Sequence, residues 1–150
     1  MNNRDIKLAD PLLQEAFTYL EQQWTELHPD DPKPFLSQVF RPKSMQDAYF
    51  AQGRKGLHEV NELRKLAGLA PITAKENLKT VTNAPSGKSK HEKKPAQAFD
   101  IAFVQKGSKT VLDWTPRLFA QAADIIKNKF PTVKWGGDWK RFPDRPHFEV

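Results

Sequence analysis

Residues 97–104, QAFDIAFV, alternate between large apolar side chains and small or acidic ones. In an extended segment Phe99, Ile101 and Phe103 point to one side and Asp100 points to the other. This period of two predicts a β-strand with one face in a core and a carboxylate on the opposite face. A strand of this kind needs partner strands and a covering layer of helices or sheet, so it constrains the fold more than any other segment.

Helices and short strands on either side of this segment would supply that environment. Asp10-Pro11 and Thr115-Pro116 each place an N-cap residue before a proline at the first helical position, and apolar residues then recur at helical spacing. In chain order the sequence predicts a helix from Pro11 to Leu27, an extended segment at 34–42, and a helix that opens with a Ser44–Asp47 capping box and stops near Gly53. A helix from Leu57 to Leu66 follows, and then a loop at 70–95 with a helical turn after Thr73. A helix from Pro116 towards Pro131 and strands at 132–135 and 147–150 come last. This order predicts an α+β fold, in which helices pack on a small, mostly antiparallel sheet within a single domain spanning residues 1–150.

Composition limits the chemistry that such a domain can perform. Hydrophobic residues make up 38% of the chain and include ten Phe and four Trp, enough for one packed core. The absence of cysteine excludes disulfides and thiolate ligands, so any metal must be held by His, Asp or Glu. Residues 1–17 contain no apolar run long enough for a signal peptide, and no transmembrane stretch appears. We therefore expect a cytoplasmic protein, which something else would have to release if it acts outside the cytosol.

The formal charge of +6 favours polyanionic partners, which include nucleic acid, membrane surfaces and anionic cell wall. The lysines are scattered apart from the run KSKHEKK at residues 88–94. Charge runs of this kind are usually solvated loops, so a nucleic-acid partner is not expected.

Two of the four histidines are candidates for chemistry. We expect His28, at the end of the first helix, and His58, in a polar helical turn, to lie on the surface. His91 precedes the strand that carries Asp100, and His147 follows a proline that suits the entrance of a strand. His91 and His147 are therefore the better candidates for metal ligands.

The last residues of the chain add two carboxylates to this set. In an extended segment His147 and Glu149 share a face, and Phe148 takes the opposite, core-facing one. Two imidazoles and one carboxylate, with water in a fourth position, form an open catalytic zinc set, and an unligated carboxylate such as Asp144 would be needed to move the proton. From these residues alone, surface or core histidines stay the alternative, because residues so distant in sequence need not meet.

Three motifs in order resemble a known family. VTNAPSGKSKH at 81–91 with AFDIAF at 98–103, and WGGDWKRFPDRPHFEV at 135–150, resemble the two halves of the signature of the zinc D,D-carboxypeptidase and L-alanyl-D-glutamate endopeptidase family. RPKSMQDAYFAQGR at 41–54 resembles its upstream segment, and the likeness covers about residues 36–150. Members include phage endolysins, bacterial cell-wall peptidases and vancomycin-resistance dipeptidases, so the resemblance implies a Hedgehog/D-Ala-D-Ala peptidase-like fold.

The resemblance also implies a set of site residues. It makes His91, Asp100 and His147 the zinc ligands, Asp144 the catalytic base and Arg41 the residue that stabilises the oxyanion. Ser89 and Gln46 would lie near the substrate, and Trp139 would line or buttress the site, with a core tryptophan as the alternative. One departure is that eight residues separate His91 from Asp100, where the family usually has six; we place the two extra residues in the loop at 92–96.

The function that the resemblance implies is hydrolysis of a peptidoglycan stem peptide by a zinc peptidase. The GG-x-W and Q-G-R segments favour cleavage between L-alanine and D-glutamate. The resemblance also implies that the protein is a monomeric, antimicrobial endolysin of a phage or prophage. Two alternatives stay open. One is a D-alanyl-D-alanine carboxypeptidase, and the other is a catalytically silent module that binds wall polymer or nucleic acid around a structural zinc.

Overall fold

The structure, a computed structural model, describes residues 3–150. Its helices are α1 (Pro11–Leu27), α2 (Lys43–Ala51), α3 (Leu57–Leu66) and α4 (Pro116–Lys129), and its strands are β1 (Lys33–Gln38), β2 (Ala98–Val104), β3 (Lys134–Trp135) and β4 (His147–Glu149). The chain divides into two compact units, a first unit whose described residues are 3–40 with 94–150 and a second unit of residues 41–93. The predicted α+β class is confirmed. No helix in the described part of the chain is long and apolar enough to cross a membrane.

The first unit contains one sheet of four strands in the order β1-β2-β4-β3, and every neighbouring pair is antiparallel. β2 and β4 lie at its centre, with Phe99 paired to Phe148 and Asp100 paired to His147. Because side chains alternate across a strand, the two phenylalanines share one face and the acid and the histidine share the other.

The face with the phenylalanines carries the core. Helices α1 and α4 cover it through aromatic contacts: Phe17 lies 5.8 Å from Phe99, and Phe119 lies 5.0 Å from Phe103, measured between ring centroids. The Phe99 and Phe148 rings stack at 5.4 Å, and both residues are fully buried. The predicted core face of β2 is thus confirmed, and the opposite face of the sheet carries Asp100 and His147.

The helix starts follow the predictions in part. The Asp10 side chain accepts from the Leu12 backbone N–H at 2.9 Å, so the predicted cap of α1 is confirmed. Thr115 occupies the N-cap of α4 but makes no side-chain cap bond, because its hydroxyl donates to Asp113 at 2.6 Å. The predicted capping box of Ser44 and Asp47 is wrong.

Helix α2 instead begins two residues earlier than a Ser44 cap would place it, with Pro42 at its N-cap. Pro42 has φ −61° and ψ 152°, an extended conformation that the proline ring favours, so the helix can start at Lys43. The Asp47 carboxylate accepts from Lys43 at 3.0 Å, one turn away, rather than from the helix N-terminus. The extended segment predicted at 34–42 is also shorter as a strand, since β1 ends at Gln38.

The second unit contains α2, α3 and the loop that follows them. Gly53 has φ +82°, and a Cβ there would lie 2.9 Å from the backbone nitrogen of Thr80, so this turn requires glycine. The helical turn predicted after Thr73 is confirmed as a 3-10 turn over Glu76–Leu78. The Thr73 backbone N–H and hydroxyl both donate to the Glu76 carboxylate at 3.1 Å.

Candidate functional site

His147 occupies the first position of β4, directly opposite Asp100 on β2. Its imidazole bonds a carboxylate through each ring nitrogen: Nδ1 lies 3.1 Å from Asp100 Oδ1, and Nε2 lies 2.9 Å from Glu149 Oε2. The His147 side chain is 8% exposed, so these contacts lie where water screens them little. The ring of Trp139 lies 5.1 Å from the imidazole, centroid to centroid.

The pKa of His147 reflects this environment. Burial disfavours the charged imidazolium and by itself would lower the pKa. The hydrogen bonds to Asp100 and Glu149 act in the opposite direction, and so do the negative charges of Asp100 and Asp144. Together they raise the pKa of His147 from its ordinary value of 6.5 to about 9. In the absence of metal, the imidazole is therefore a proton-binding group at neutral pH.

The turn before β4 fixes Asp144 three residues ahead of His147. The Gly136 carbonyl accepts from the Asp144 backbone N–H at 2.8 Å, and the Asp144 carbonyl accepts from the His147 backbone N–H at 3.2 Å. A Cβ on Gly136 would collide with the Asp144 carbonyl oxygen and approach the His147 Cβ to 3.1 Å, and one on Gly137 would collide with the Trp135 indole. Both glycines of the GG-x-W segment are thus required by close packing.

Trp139 is 36% exposed and does not belong to the hydrophobic core. The core-tryptophan alternative is therefore not what the structure shows, and the indole is open to solvent beside His147. Its predicted contact with a substrate stays a prediction.

His91 lies in a 3-10 turn of the second unit, Lys90–Glu92, and is 2% exposed. Ser89 caps this turn by accepting from the His91 backbone N–H at 3.3 Å, while the Glu92 carboxylate accepts from the backbone N–H groups of Ser89 at 3.2 Å and Gly87 at 2.9 Å. This reciprocal capping box fixes the backbone that carries His91. The Ser89 hydroxyl thus has a structural contact, and its predicted role near the substrate stays a prediction.

The longer segment between His91 and Asp100 leaves a loop before β2 begins at Ala98. Ala96 anchors this loop, because its backbone N–H donates to the Leu8 carbonyl and its carbonyl accepts from the Asp10 N–H, both at 2.8 Å. The strand pattern around Asp100 is therefore kept, as the placement of the extra residues in this loop predicts.

Arg41 is 9% exposed, so it is not a solvated surface arginine. Its Nη1 donates to Gln46 Oε1 at 2.8 Å, its guanidinium carbon lies 5.0 Å from the centroid of the Tyr49 ring, and its backbone N–H donates to the His91 carbonyl at 3.0 Å. The side chain is held by hydrogen bonding and by a cation–π contact. No motif in the sequence marks Tyr49 as a site residue, although it lies three residues after Gln46 on α2 and so shares its face.

Gln46 is fully buried. Its amide oxygen accepts from Arg41, and its amide nitrogen donates to the Ala84 carbonyl at 2.6 Å. Both ends of the side chain are therefore engaged in holding the guanidinium, and its predicted contact with substrate stays a prediction.

One group of side chains in residues 3–150 could hold a metal ion, and it consists of His91, Asp100 and His147, whose ligand atoms all lie within 4.8 Å of one another. Two imidazoles and a carboxylate suit zinc, which binds nitrogen and oxygen donors with few ligands. The donor set therefore fits such an ion.

Of the other two histidines, His58 is exposed, as predicted. The prediction for His28 is wrong. Its ring lies 4.2 Å from that of Trp24, Nδ1 lies 3.0 Å from Asp31 Oδ2, and its side chain is 18% exposed. The neighbouring tryptophan and carboxylate draw it against α1, so it is half-buried.

Comparison with known proteins finds a matching family model and similar proteins. The model of the D-alanyl-D-alanine carboxypeptidase family matches residues 82–150. The peptidoglycan L-alanyl-D-glutamate endopeptidase CwlK of Bacillus subtilis is 27% identical to this chain, over 93% of this chain and 89% of that protein. The crystal structure of the L-Ala D-Glu endopeptidase ChiX of Serratia marcescens has the same fold, with a TM-score of 0.57 at 16% identity, over 99% of this chain and 86% of that one. The resemblance that the motifs indicate is thereby confirmed: residues 82–150 match the D-alanyl-D-alanine carboxypeptidase family model, and the chain is similar over most of its length to an L-alanyl-D-glutamate endopeptidase.

Proposed function

We propose that this chain is a zinc-dependent peptidase that hydrolyses the L-alanyl-D-glutamate bond of peptidoglycan stem peptides. The observation that carries the proposal is the His91–Asp100–His147 group, which supplies an open set of metal donors in a chain that aligns with an L-alanyl-D-glutamate endopeptidase over 93% of its length. These three residues would hold one zinc ion. Bound there, zinc would supply a Lewis acid for the scissile carbonyl and for the attacking water.

Asp144 is the general base of this proposal. It lies outside the group of metal donors, it is half-buried, and two backbone hydrogen bonds fix its position before His147. A carboxylate held in this way can take a proton from the attacking water and return it to the leaving amine of D-glutamate. Asparagine at this position would keep the shape and lose the proton acceptor.

Arg41 stabilises the negative charge that develops on the substrate carbonyl oxygen. Gln46 and the Tyr49 ring hold its guanidinium in a fixed orientation, so the donor is already placed before the reaction begins. Such preorganised donors are worth more in a site that excludes water than in bulk solvent. In this scheme Gln46 acts through Arg41, while Ser89 and the exposed Trp139 lie along the path of the peptide.

The wider biological role follows from the same proposal. The chain would act as one catalytic domain and as a monomer, in the way of a phage or prophage endolysin that reaches the wall after release from the cytoplasm. Its net charge of +6 would favour retention on an anionic envelope.

Digestion of purified peptidoglycan followed by mass analysis of the fragments tests the proposal. Cleavage of the L-alanyl-D-glutamate bond leaves L-alanine on the muramic acid and gives peptides with a new D-glutamate amino terminus. The description of the matching family model favours a second candidate, D-alanyl-D-alanine carboxypeptidase, which would instead release single D-alanine residues. Absence of both products from zinc-loaded protein that still binds the wall would favour a silent binding module.

Metal analysis completes the test. Protein dialysed without chelator should carry one zinc per chain, and His147→Ala should carry much less. A His147→Ala protein that retains a full equivalent of zinc would show that the ligand assignment is wrong.

A further inference from the structure

We infer that Glu149 is a positioning residue, which holds His147 in the tautomer that leaves Nδ1 available to a metal. The inference rests on the proposed function, because it concerns the metal group of that site. Glu149 lies outside that group, and in this inference it binds no metal itself and acts through the imidazole.

The sheet fixes Glu149 beside His147. In β4 the two residues lie on one face, two positions apart, with Phe148 between them on the core side. Glu149 pairs with Ala98 on β2 and with Lys134 on β3, so its backbone lies inside the sheet rather than at an edge.

The two carboxylates on His147 are not equivalent. Asp100 faces Nδ1 at 3.1 Å and belongs to the group of metal donors, whereas Glu149 faces Nε2 at 2.9 Å and does not belong to it. A neutral imidazole carries a single N–H, and a nitrogen that binds a metal must present a bare lone pair. If the proton is on Nε2, it is donated to Glu149, and the lone pair of Nδ1 points towards Asp100 and the metal position.

Burial makes this arrangement effective. The Glu149 side chain is 19% exposed and that of His147 is 8% exposed, so water competes weakly for the Nε2 proton. A carboxylate that accepts from a metal-bound imidazole fixes the ring orientation and raises the basicity of the ligand nitrogen. Because this contact already bonds one carboxylate oxygen of Glu149 to His147, we assign the role of general base to Asp144 rather than to Glu149.

Zinc affinity measured by competition with a chromophoric chelator tests the inference. Glu149→Ala should bind zinc about 10- to 100-fold more weakly than the unchanged protein, the usual cost of losing such a partner. Glu149→Gln should lose less, since its amide oxygen can still accept from Nε2. Asp31→Ala is the matched control, because it removes a carboxylate that lies 3.0 Å from Nδ1 of His28, outside the metal group, and it should leave the zinc affinity unchanged.

Nitrogen-15 NMR of the zinc-loaded protein gives a readout that loss of stability alone would not move. His147 should show a protonated Nε2 and a metal-bound Nδ1, and in Glu149→Ala the Nε2 proton should exchange faster with water. A folded Glu149→Ala with unchanged zinc affinity, or a wild-type spectrum with the proton on Nδ1, would overturn the inference. Should Glu149→Ala not fold, the wild-type spectrum and Glu149→Gln decide it. Wild-type protein that binds no zinc would instead overturn the proposed function itself.

Discussion

Protonation of His147 should make the metal-free protein more stable at pH 6 than at pH 10. Its pKa is raised in the folded chain from 6.5 to about 9, by Asp100, Glu149 and Asp144 acting against burial. A raised pKa means that the folded state binds the proton more tightly than the unfolded state does. The resulting stabilisation is fully present below about pH 6.5 and is lost as the pH rises through about 9.

The size of the effect follows from the two pKa values. At about 1.4 kcal/mol per pKa unit, the difference corresponds to about 3 kcal/mol of unfolding free energy. The side chain is only 8% exposed, so solvent screening removes little of this. That amount is a large fraction of the roughly 5–15 kcal/mol that stabilises a typical domain.

Urea unfolding of chelator-treated protein at several pH values measures this pH-dependent part of the unfolding free energy directly. The unfolding free energy should fall by up to about 1.4 kcal/mol per pH unit between about pH 6.5 and 9. His147→Gln should remove this component, whereas His58→Gln, which changes an exposed histidine, should keep it. An equal fall in the His147→Gln variant, or no fall in the unchanged protein, would refute the reasoning. Since zinc must displace the same proton, its apparent affinity should also rise with pH up to about 9.

Three further outcomes are expected. Asp144→Asn should keep its zinc and lose about 10²-fold or more in the rate of stem-peptide cleavage, while Asp138→Asn, which alters an exposed acid paired with Lys127, should cleave at the normal rate. Arg41→Ala should lower kcat/KM by about 10²-fold or more with zinc content and wall binding unchanged, and Arg41→Lys should not rescue it, because the planar fork is lost. Phe148→Ala should lower the unfolding free energy by about 3–5 kcal/mol in urea titrations, since it opens a cavity against Phe99 in a fully buried layer.

Local patterns predicted the elements of the fold, and they were wrong where two local signals competed. The alternation around Asp100 specifies a strand, and the apolar spacing after Pro11 specifies a helix. In each segment the apolar side chains all fall on one face, so only one orientation buries them in the core. Ser44 and Pro42 both mark a helix start, and the fixed backbone of Pro42 decides it. At Thr115 the nearby Asp113 captures the hydroxyl that would have capped α4.

The site could be predicted only in part, because its contacts depend on strand register. Asp100 and His147 lie 47 positions apart, and periodicity fixes which face each occupies but not that they pair. The pairing comes from the adjacent register of Phe99 with Phe148, whose stacking in the core places the two polar residues opposite each other. The motif resemblance supplied the candidate ligand set, but it carried no sign that Glu149 would contact the second ring nitrogen of His147.

The arrangement around His147 also gives a physical reason to expect a cation there. Asp100, Glu149 and Asp144 place three negative charges around one imidazole, and burial penalises each charge that stays uncompensated. Without metal, the imidazole compensates for them by holding a proton up to about pH 9. A divalent ion in place of that proton brings twice its charge and adds His91 as a further donor, so it satisfies the same carboxylates more completely. The same carboxylates that raise the pKa of His147 should therefore favour binding of a divalent cation over an empty site once the proton has left.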